Sequence, residues 1–145
     1  MKYILIIGAK NELALELASL YAKNNYNIYL AGRSINDLEE ESNNIEQKYK
    51  VKSVLCELDV TNFSSHEDFY ESLEIKPTGV IYLAGYYPDM ISSISKWSES
   101  LKTIEVNYLG CVSSGKDFFF QWTRIPISRA IWGIFLNGDS GIREF

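Results

Sequence analysis

Apolar, strand-like runs alternate with helical stretches along most of this chain, and that alternation restricts the possible folds more than any other feature. The runs are residues 2–7, 26–31, 51–60 and 78–85, and each ends at turn-forming or polar residues. Strands that alternate with helices need crossover connections, which produce a parallel sheet with helices on both faces. We therefore predict an α/β fold with three layers, a doubly wound parallel sheet that is incomplete at its C-terminal end.

The helical stretches predict apolar faces and one cap. The face of the first helix consists of Leu13, Leu17, Leu20 and Tyr21. The face of the helix after the fourth strand consists of Trp97, Leu101, Ile104 and Tyr108. Apolar residues at this spacing are typical of amphipathic helices. Ser34, with Asp37 three residues later, is predicted to cap the second helix with its side chain.

Composition and charge exclude several kinds of partner. The chain has 14 Lys and Arg against 19 Asp and Glu, for a net charge of −5. Nucleic acids and anionic membranes both require a basic surface, so neither is an expected partner. Cys56 and Cys111 are far apart and belong to no Cys/His cluster, so no metal site is predicted. The first apolar run is too short for a signal peptide or a membrane span, and a cytoplasmic location is expected.

The first strand runs into the sequence "GAKNELA", residues 8–14. In open parallel sheets, ligands bind beyond the carboxyl ends of the strands. A tight turn into a helix presents free N–H groups and the positive end of the helix dipole, which favours an anion. Gly8 can form the tight turn, and Ala14 is small enough for close helix packing. Glu12 stands where a second glycine would admit a pyrophosphate.

Three further strand ends offer contacts for a dinucleotide. Arg33, after the second strand, suits a ribose 2′-phosphate; a solvated arginine is the alternative. Asp59, after the third strand, can accept a hydrogen bond from an adenine amino group; a turn aspartate is the alternative. Ala84 and Gly85, after the fourth strand, have little side chain, so a ligand can lie against their backbone; an ordinary loop glycine is the alternative.

Together these segments resemble the short-chain dehydrogenase/reductases, NAD(P)-dependent oxidoreductases with a Rossmann-type fold. The turn at residues 7–14 is similar to the family motif Thr-Gly-x-x-x-Gly-x-Gly, and closer to Gly-Ala-x-Ser-Asp-Ile-Ala in one branch. "LDVT" resembles the Asp-Val of the family after the third strand. "YLAG" resembles Asn-Asn-Ala-Gly, with Tyr82 and Leu83 in place of the asparagines. "VNYLG" resembles the helix segment with the catalytic asparagine, here Asn107, and the resemblance covers roughly residues 2–112.

This resemblance implies a site, a cofactor and a small-molecule substrate that stays unidentified. The implied cofactor is NADP, with NAD as the alternative, and Asn107 is the implied catalytic residue. The implied cofactor-binding residues are Gly8, Lys10, Asn11, Leu13, Arg33, Ser34, Asp59, Val60, Ala84 and Gly85. Such proteins form oligomers, and their usual interface helices are expected beyond the part of the family that this sequence resembles.

The family's catalytic tyrosine and lysine, four residues apart on one helix, have no counterpart here. None of the ten tyrosines has a lysine four residues later. The family's serine would fall near Ile134 and Phe135, or at Ser140 if the match is shifted. We therefore expect an NAD(P)-binding part at residues 1–112, truncated and inactive, whose status as an enzyme stays open. Residues 113–145 are expected to form an atypical tail with a degraded fifth strand, from a shifted reading frame or a premature stop; a genuine C-terminus is the alternative.

Two other functions compete with this interpretation. One is a non-catalytic dinucleotide-binding or structural relic. The other is a phosphoacceptor receiver domain with Asp59 as acceptor, although "GAKN" lacks the acidic residues that would hold Mg²⁺ there.

Three other polar or aromatic positions have open alternatives. His66 could form a triad with nearby Ser64 or Ser65 and an acid, or belong to a polar surface cluster near a helix cap. Tyr86 and Tyr87 could form the wall of a substrate pocket or pack as ordinary core residues.

Overall fold

A computed structural model describes residues 1–121 and 134–136, and these residues form a five-stranded sheet in the order β3-β2-β1-β4-β5. The strands are β1 Tyr3–Ile7, β2 Asn27–Gly32, β3 Ser53–Glu57, β4 Gly79–Tyr82 and β5 Ile134–Leu136. Strands β1 to β4 pair in parallel, which confirms the predicted α/β class. Strand β5 pairs with β4 in the antiparallel direction, with Val80 opposite Phe135.

The helices connect the strands and cover both faces of the sheet. They are α1 Glu12–Lys23, α2 Glu39–Tyr49, α3 His66–Ser72, α4 Met90–Ser95, α5 Trp97–Ile104 and α6 Gly110–Gln121. Short 3₁₀ turns precede α2 and α3, and a π-helical turn, Glu105–Leu109, separates α5 from α6. Helix α6 crosses the predicted boundary at residue 112 without a break. The interpretation of Ser140 falls outside the residues that the structure describes.

Strand β1 lies at the centre of the sheet, and all five of its residues are buried. Ile4 and Ile6 pack in one apolar cluster with α1 and α2. Tyr3, Leu5 and Ile7 pack on the opposite face in a second cluster, to which α3 and the segment around α6 contribute. A strand covered on both faces reads as a continuous apolar run rather than an alternating one, which explains why the sequence pattern identified this strand.

The buried face of α1 differs from the predicted one. Ala14, Ala18 and Ala22 are buried against the sheet, whereas Leu13 and Leu20 are 57% and 55% exposed. Alanines four residues apart share one face of a helix, and their small side chains let α1 approach the sheet closely. The leucine spacing therefore predicted the helix correctly and part of its buried face wrongly.

The apolar face predicted after the fourth strand is also largely at the surface in the described part of the chain. Trp97 is 73% exposed and Tyr108 is 52% exposed. Other exposed apolar residues of this region include Met90, Ile91, Ile94, Leu101, Ile104 and Leu109. No helix within the described residues is long and apolar enough to cross a membrane.

Ser34 does not cap the second helix with its side chain, contrary to the sequence prediction. It has a left-handed backbone with φ of 49° and makes no side-chain cap hydrogen bond. The carboxylate of Glu57 instead accepts hydrogen bonds from the N–H groups of Ser34 at 2.9 Å and Ile35 at 3.1 Å. The start of the 3₁₀ turn is thus satisfied from the end of β3, which a local sequence pattern cannot reveal.

The loop after β1 touches the loop after β4 at Gly8. Gly8 has φ of +88°, and a Cβ there would lie 2.3 Å from the backbone N of Ala84 and 2.6 Å from the carbonyl carbon of Leu83. The N–H of Leu83 donates to the carbonyl of Ile7 at 2.7 Å. Only a residue without a side chain fits a left-handed backbone at so close an approach.

Gly8→Ala should therefore destabilise the fold by roughly 2–5 kcal/mol, because it adds backbone strain and an overpacked contact. Urea unfolding followed by circular dichroism measures the change. Gly32→Ala is the matched control, since a Cβ at Gly32 would meet its nearest neighbour, Ile35 Cδ1, at 3.7 Å. Equal unfolding midpoints for the two variants would contradict the steric role of Gly8.

Candidate functional site

A cavity of about 730 Å³ lies at the carboxyl ends of β1 to β4. From β1 the chain passes to β2 on one side of β1, and it later reaches β4 on the other side. The cavity therefore lies at the point where the strand order reverses, which is where open α/β sheets bind ligands. The predicted cofactor residues that line it are Gly8, Lys10, Asn11, Arg33, Ser34, Asp59, Val60, Ala84 and Gly85. Leu13 and Asn107, also predicted, are not among the lining residues.

Asn11 fixes the loop that follows β1. Its side-chain Oδ1 accepts a hydrogen bond from the N–H of Ala14 at 2.8 Å, which caps the start of α1. Its Nδ2 lies within hydrogen-bond distance of the carbonyls of Gly8 at 3.2 Å and Leu83 at 3.4 Å. Sequence reasoning missed this cap, although an asparagine directly before a helix is a recognisable signal. Glu12, which stands where a second glycine would admit a pyrophosphate, is exposed and does not line the cavity.

Two cations stand at the end of the cavity beyond β2. Arg33 is exposed and lines the cavity directly after the strand. Lys10, from the loop after β1, forms an ion pair with Asp37 of the 3₁₀ turn. This pair is a direct side-chain link between the loop after β1 and the segment after β2.

Asp59 is both a turn residue and part of the cavity lining. Its carboxylate accepts hydrogen bonds from the N–H of Thr61 at 2.9 Å and from the Thr61 hydroxyl at 2.8 Å. The Thr61 N–H, then the Thr61 hydroxyl, and the nearby Arg33 and His66 hold the pKa of Asp59 below its usual range. The cavity therefore contains an ionised carboxylate at neutral pH, oriented by its own turn.

His66 is buried, with 2% of its surface exposed. Its Nδ1 lies 2.9 Å from the hydroxyl of Ser113 on α6, and its Nε2 lies 3.3 Å from the carbonyl of Asp59. The hypothesis of a polar surface cluster is therefore wrong for His66, and the hydroxyl that its Nδ1 contacts is that of Ser113. Ser113 is 47 residues away in sequence, and the side chain of His66 connects α6 to the turn at Asp59.

Asn107 lies in the π-helical turn and holds the segment after β4 in place. Its Oδ1 accepts from the N–H of Tyr86 at 2.7 Å, and its Nδ2 donates to the carbonyl of Tyr86 at 3.0 Å. One residue earlier in the same turn, the carbonyl of Val106 accepts a hydrogen bond from the hydroxyl of Tyr82 at 2.5 Å. π-Helical turns are often found at functional sites, and here the turn directs two residues toward the strand end.

Tyr86 lines the cavity, whereas Tyr87 is largely exposed and is not among the lining residues. The Tyr86 hydroxyl donates to the carboxylate of Glu99, and the Lys102 ammonium lies 4.1 Å from the centre of the Tyr86 ring. The hydrogen bond to Glu99 is the main reason that the pKa of Tyr86 is raised. Of the two tyrosines considered for a pocket wall, only Tyr86 is in position.

A sequence comparison agrees with three features described above: the order of the strands, the close approach of Gly8 to Ala84, and the clustering of the strand ends at one cavity. A family model for short chain dehydrogenases matches residues 2–124. The chain belongs to the short-chain dehydrogenase family. It is thereby related to the oxidoreductases of that family. The strand order 3-2-1-4 is also the Rossmann order, whereas receiver domains have the order 2-1-3-4-5, so the receiver hypothesis is wrong.

Solved structures of this short-chain dehydrogenase family share the fold. An alcohol dehydrogenase from the archaeon Thermococcus sibiricus, complexed with 5-hydroxy-NADP, is 26% identical over 90% of this chain and 55% of its own, with a TM-score of 0.69. An NADPH-dependent 3-quinuclidinone reductase from Rhodotorula rubra is 22% identical, covers 81% and 46%, and has a TM-score of 0.69. A short-chain dehydrogenase from Rhodopseudomonas palustris is 18% identical, covers 82% and 57%, and has a TM-score of 0.70.

The chain spans about half the length of these solved structures. No curated protein sequence matches it.

The turn at Asp59 generates a pH prediction. Because its folded pKa is lowered, ionised Asp59 contributes stability above its unfolded pKa of about 3.9, and this contribution is lost as the pH falls through the folded pKa. Thr61→Val removes the hydroxyl donor and keeps the N–H donor, so the pKa of Asp59 should rise part of the way toward its ordinary value. The acid-dependent part of the stability should shrink accordingly.

NMR titration of the Asp59 carboxyl carbon measures this pKa. Thr78→Val is the matched control, because the Thr78 hydroxyl donates to the carbonyl of Tyr3, at the other end of the sheet. An unchanged Asp59 pKa in Thr61→Val would show that the hydroxyl does not stabilise the carboxylate.

Proposed function

We propose that this chain binds a nicotinamide dinucleotide in the cavity at the strand ends and prefers NADP(H) to NAD(H). The observation that carries the proposal is convergence: the residues after four separate strands, chosen from the sequence, line one cavity at the switch point. Its volume of about 730 Å³ is within the range usual for cofactor sites. Two similar structures are described as an NADP-analogue complex and as NADPH-dependent.

The residues present fit such a cofactor. Gly8 leaves the backbone bare where the loops after β1 and β4 approach each other, and exposed Glu12 keeps its carboxylate off the cavity. The start of α1, whose first N–H groups carry partial positive charge, suits the pyrophosphate. Ionised Asp59 suits the adenine amino group. Arg33 and Lys10 suit a 2′-phosphate, which guanidinium and ammonium groups bind through charge-assisted hydrogen bonds.

When bound, NADP(H) supplies or accepts a hydride, and in the intact family the partner is a carbonyl or an alcohol. We propose that these 145 residues bind the cofactor without appreciable turnover. The sequence contains no tyrosine with a lysine four residues later. The Asn107 amide uses its oxygen and its nitrogen on the backbone of Tyr86, so it acts here by positioning that segment. Cytoplasmic location, and the absence of nucleic-acid and membrane partners, stay predictions.

Arg33→Ala should weaken NADPH binding about tenfold or more and leave NADH binding unchanged, because a charge-assisted hydrogen bond is worth roughly 1.5–3 kcal/mol. Isothermal titration calorimetry with both cofactors measures the two affinities. Lys48→Ala removes the same charge from the exposed surface of α2 and is the control. Equal losses for NADPH and NADH would remove Arg33 from the 2′-phosphate site, and no binding of either cofactor would favour the structural-relic alternative.

Consumption of NADPH with a panel of aldehydes and ketones should match a blank without protein. Reduction of a carbonyl develops an alkoxide, and a positioned acid that protonates it contributes typically 10²–10⁴-fold. Binding by itself does not lower this barrier. Turnover that persists through purification and disappears in Tyr86→Phe would instead identify Tyr86 as an acid and refute the proposed inactivity.

A further inference from the structure

We propose that Glu57, which lies beside this cavity, is a specificity-determining residue. Its carboxylate weakens the binding of a 2′-phosphate and so reduces the preference for NADP(H) over NAD(H). The inference rests on the proposed dinucleotide function and refines it. From the sequence, Arg33 stands without a neighbouring acid. In the structure, the carboxylate of Glu57 contacts the residue next to Arg33, Ser34.

Glu57 is the last residue of β3 and lies opposite Gly32 in the parallel register of β2 and β3. Both oxygens of its carboxylate are engaged, Oε1 by the N–H of Ser34 at 2.9 Å and Oε2 by the N–H of Ile35 at 3.1 Å. Two contacts to successive backbone donors hold the group in one orientation. Since Ser34 and Arg33 both line the cavity, the negative charge is held next to the proposed 2′-phosphate position.

The carboxylate acts on a 2′-phosphate in two ways. It uses the N–H groups of Ser34 and Ile35, so a phosphate cannot take these donors without displacing Glu57. It also repels a phosphate that Arg33 binds, because like charges several ångströms apart near a protein surface still repel each other appreciably. A ribose with a free 2′-hydroxyl carries no charge there, so Glu57 affects it little.

The neighbouring charges point the same way. Asp37 forms an ion pair with Lys10, the second proposed phosphate ligand. Asp59 lies close enough to Arg33 for that cation to lower its pKa. Each cation at this end of the cavity thus already has an acidic neighbour, and Glu57 adds a further negative charge held by the backbone.

The test compares two probes that differ only in the 2′-phosphate, adenosine 2′,5′-bisphosphate and AMP, by calorimetry on the full chain. Glu57→Gln removes the charge and keeps the shape of the side chain, and Glu57→Ala removes the side chain. Glu57 is exposed, so water can replace its contacts in the second variant if the first one unfolds. Thermal unfolding checks both. Glu46→Gln is the control, because Glu46 accepts from the N–H of Ser53 at 2.8 Å, near the opposite end of β3.

In both Glu57 variants, affinity for the bisphosphate relative to AMP should rise roughly three- to tenfold, as expected for removal of one partly screened charge. The ratio should stay unchanged in Glu46→Gln. An unchanged ratio in a folded Glu57 variant, or equal changes for both probes, would overturn the role of Glu57 and leave the proposed function intact. Failure of the wild-type chain to bind either probe would overturn the proposed function and this inference with it.

Discussion

The backbone approach between Gly8 and Ala84 is the contact on which the rest of the site depends. It brings the loop after β1 against the loop after β4, and Asn11 then connects Gly8 with Leu83 through its side-chain amide. The end of β4 is in turn held by Tyr82 and Asn107 to the π-helical turn. The segments that bound the cavity therefore hold one another in place, from the loop after β1 to the π-helical turn.

The sheet and the location of the cavity could be predicted from the sequence, because they follow from simple constraints. Strands covered on both faces are continuously apolar, and the carboxyl ends of parallel strands meet at one edge. The same reasoning failed for α1, where spacing marked Leu13 and Leu20 and close packing selected the alanines. It also failed wherever a polar group is satisfied from a distant segment. Glu57 accepts a hydrogen bond from the N–H of Ser34, which is 23 residues away in sequence. Ser113 contacts His66 although 47 residues separate them in sequence.

The electrostatics of the cavity show why a motif is an incomplete guide to cofactor choice. Arg33 at the end of β2 matches a simple rule for 2′-phosphate recognition. The potential at that position depends on all nearby charges, and Asp37, Glu57 and Asp59 approach from three separate segments. A single basic residue therefore marks where a phosphate would bind, and its surroundings decide how strongly.

The buried imidazole of His66 joins the carbonyl of Asp59 to the hydroxyl of Ser113. These two contacts lie on segments that are far apart in sequence, the turn after β3 and helix α6. Local openings in proteins tend to follow such contiguous cooperative units. Undocking of α6 would thus remove a partner that His66 needs in the interior and loosen the Asp59 turn as well. We therefore expect the Asp59 turn and α6 to open together, so that the rigidity of this side of the cavity depends on how firmly the helix is docked.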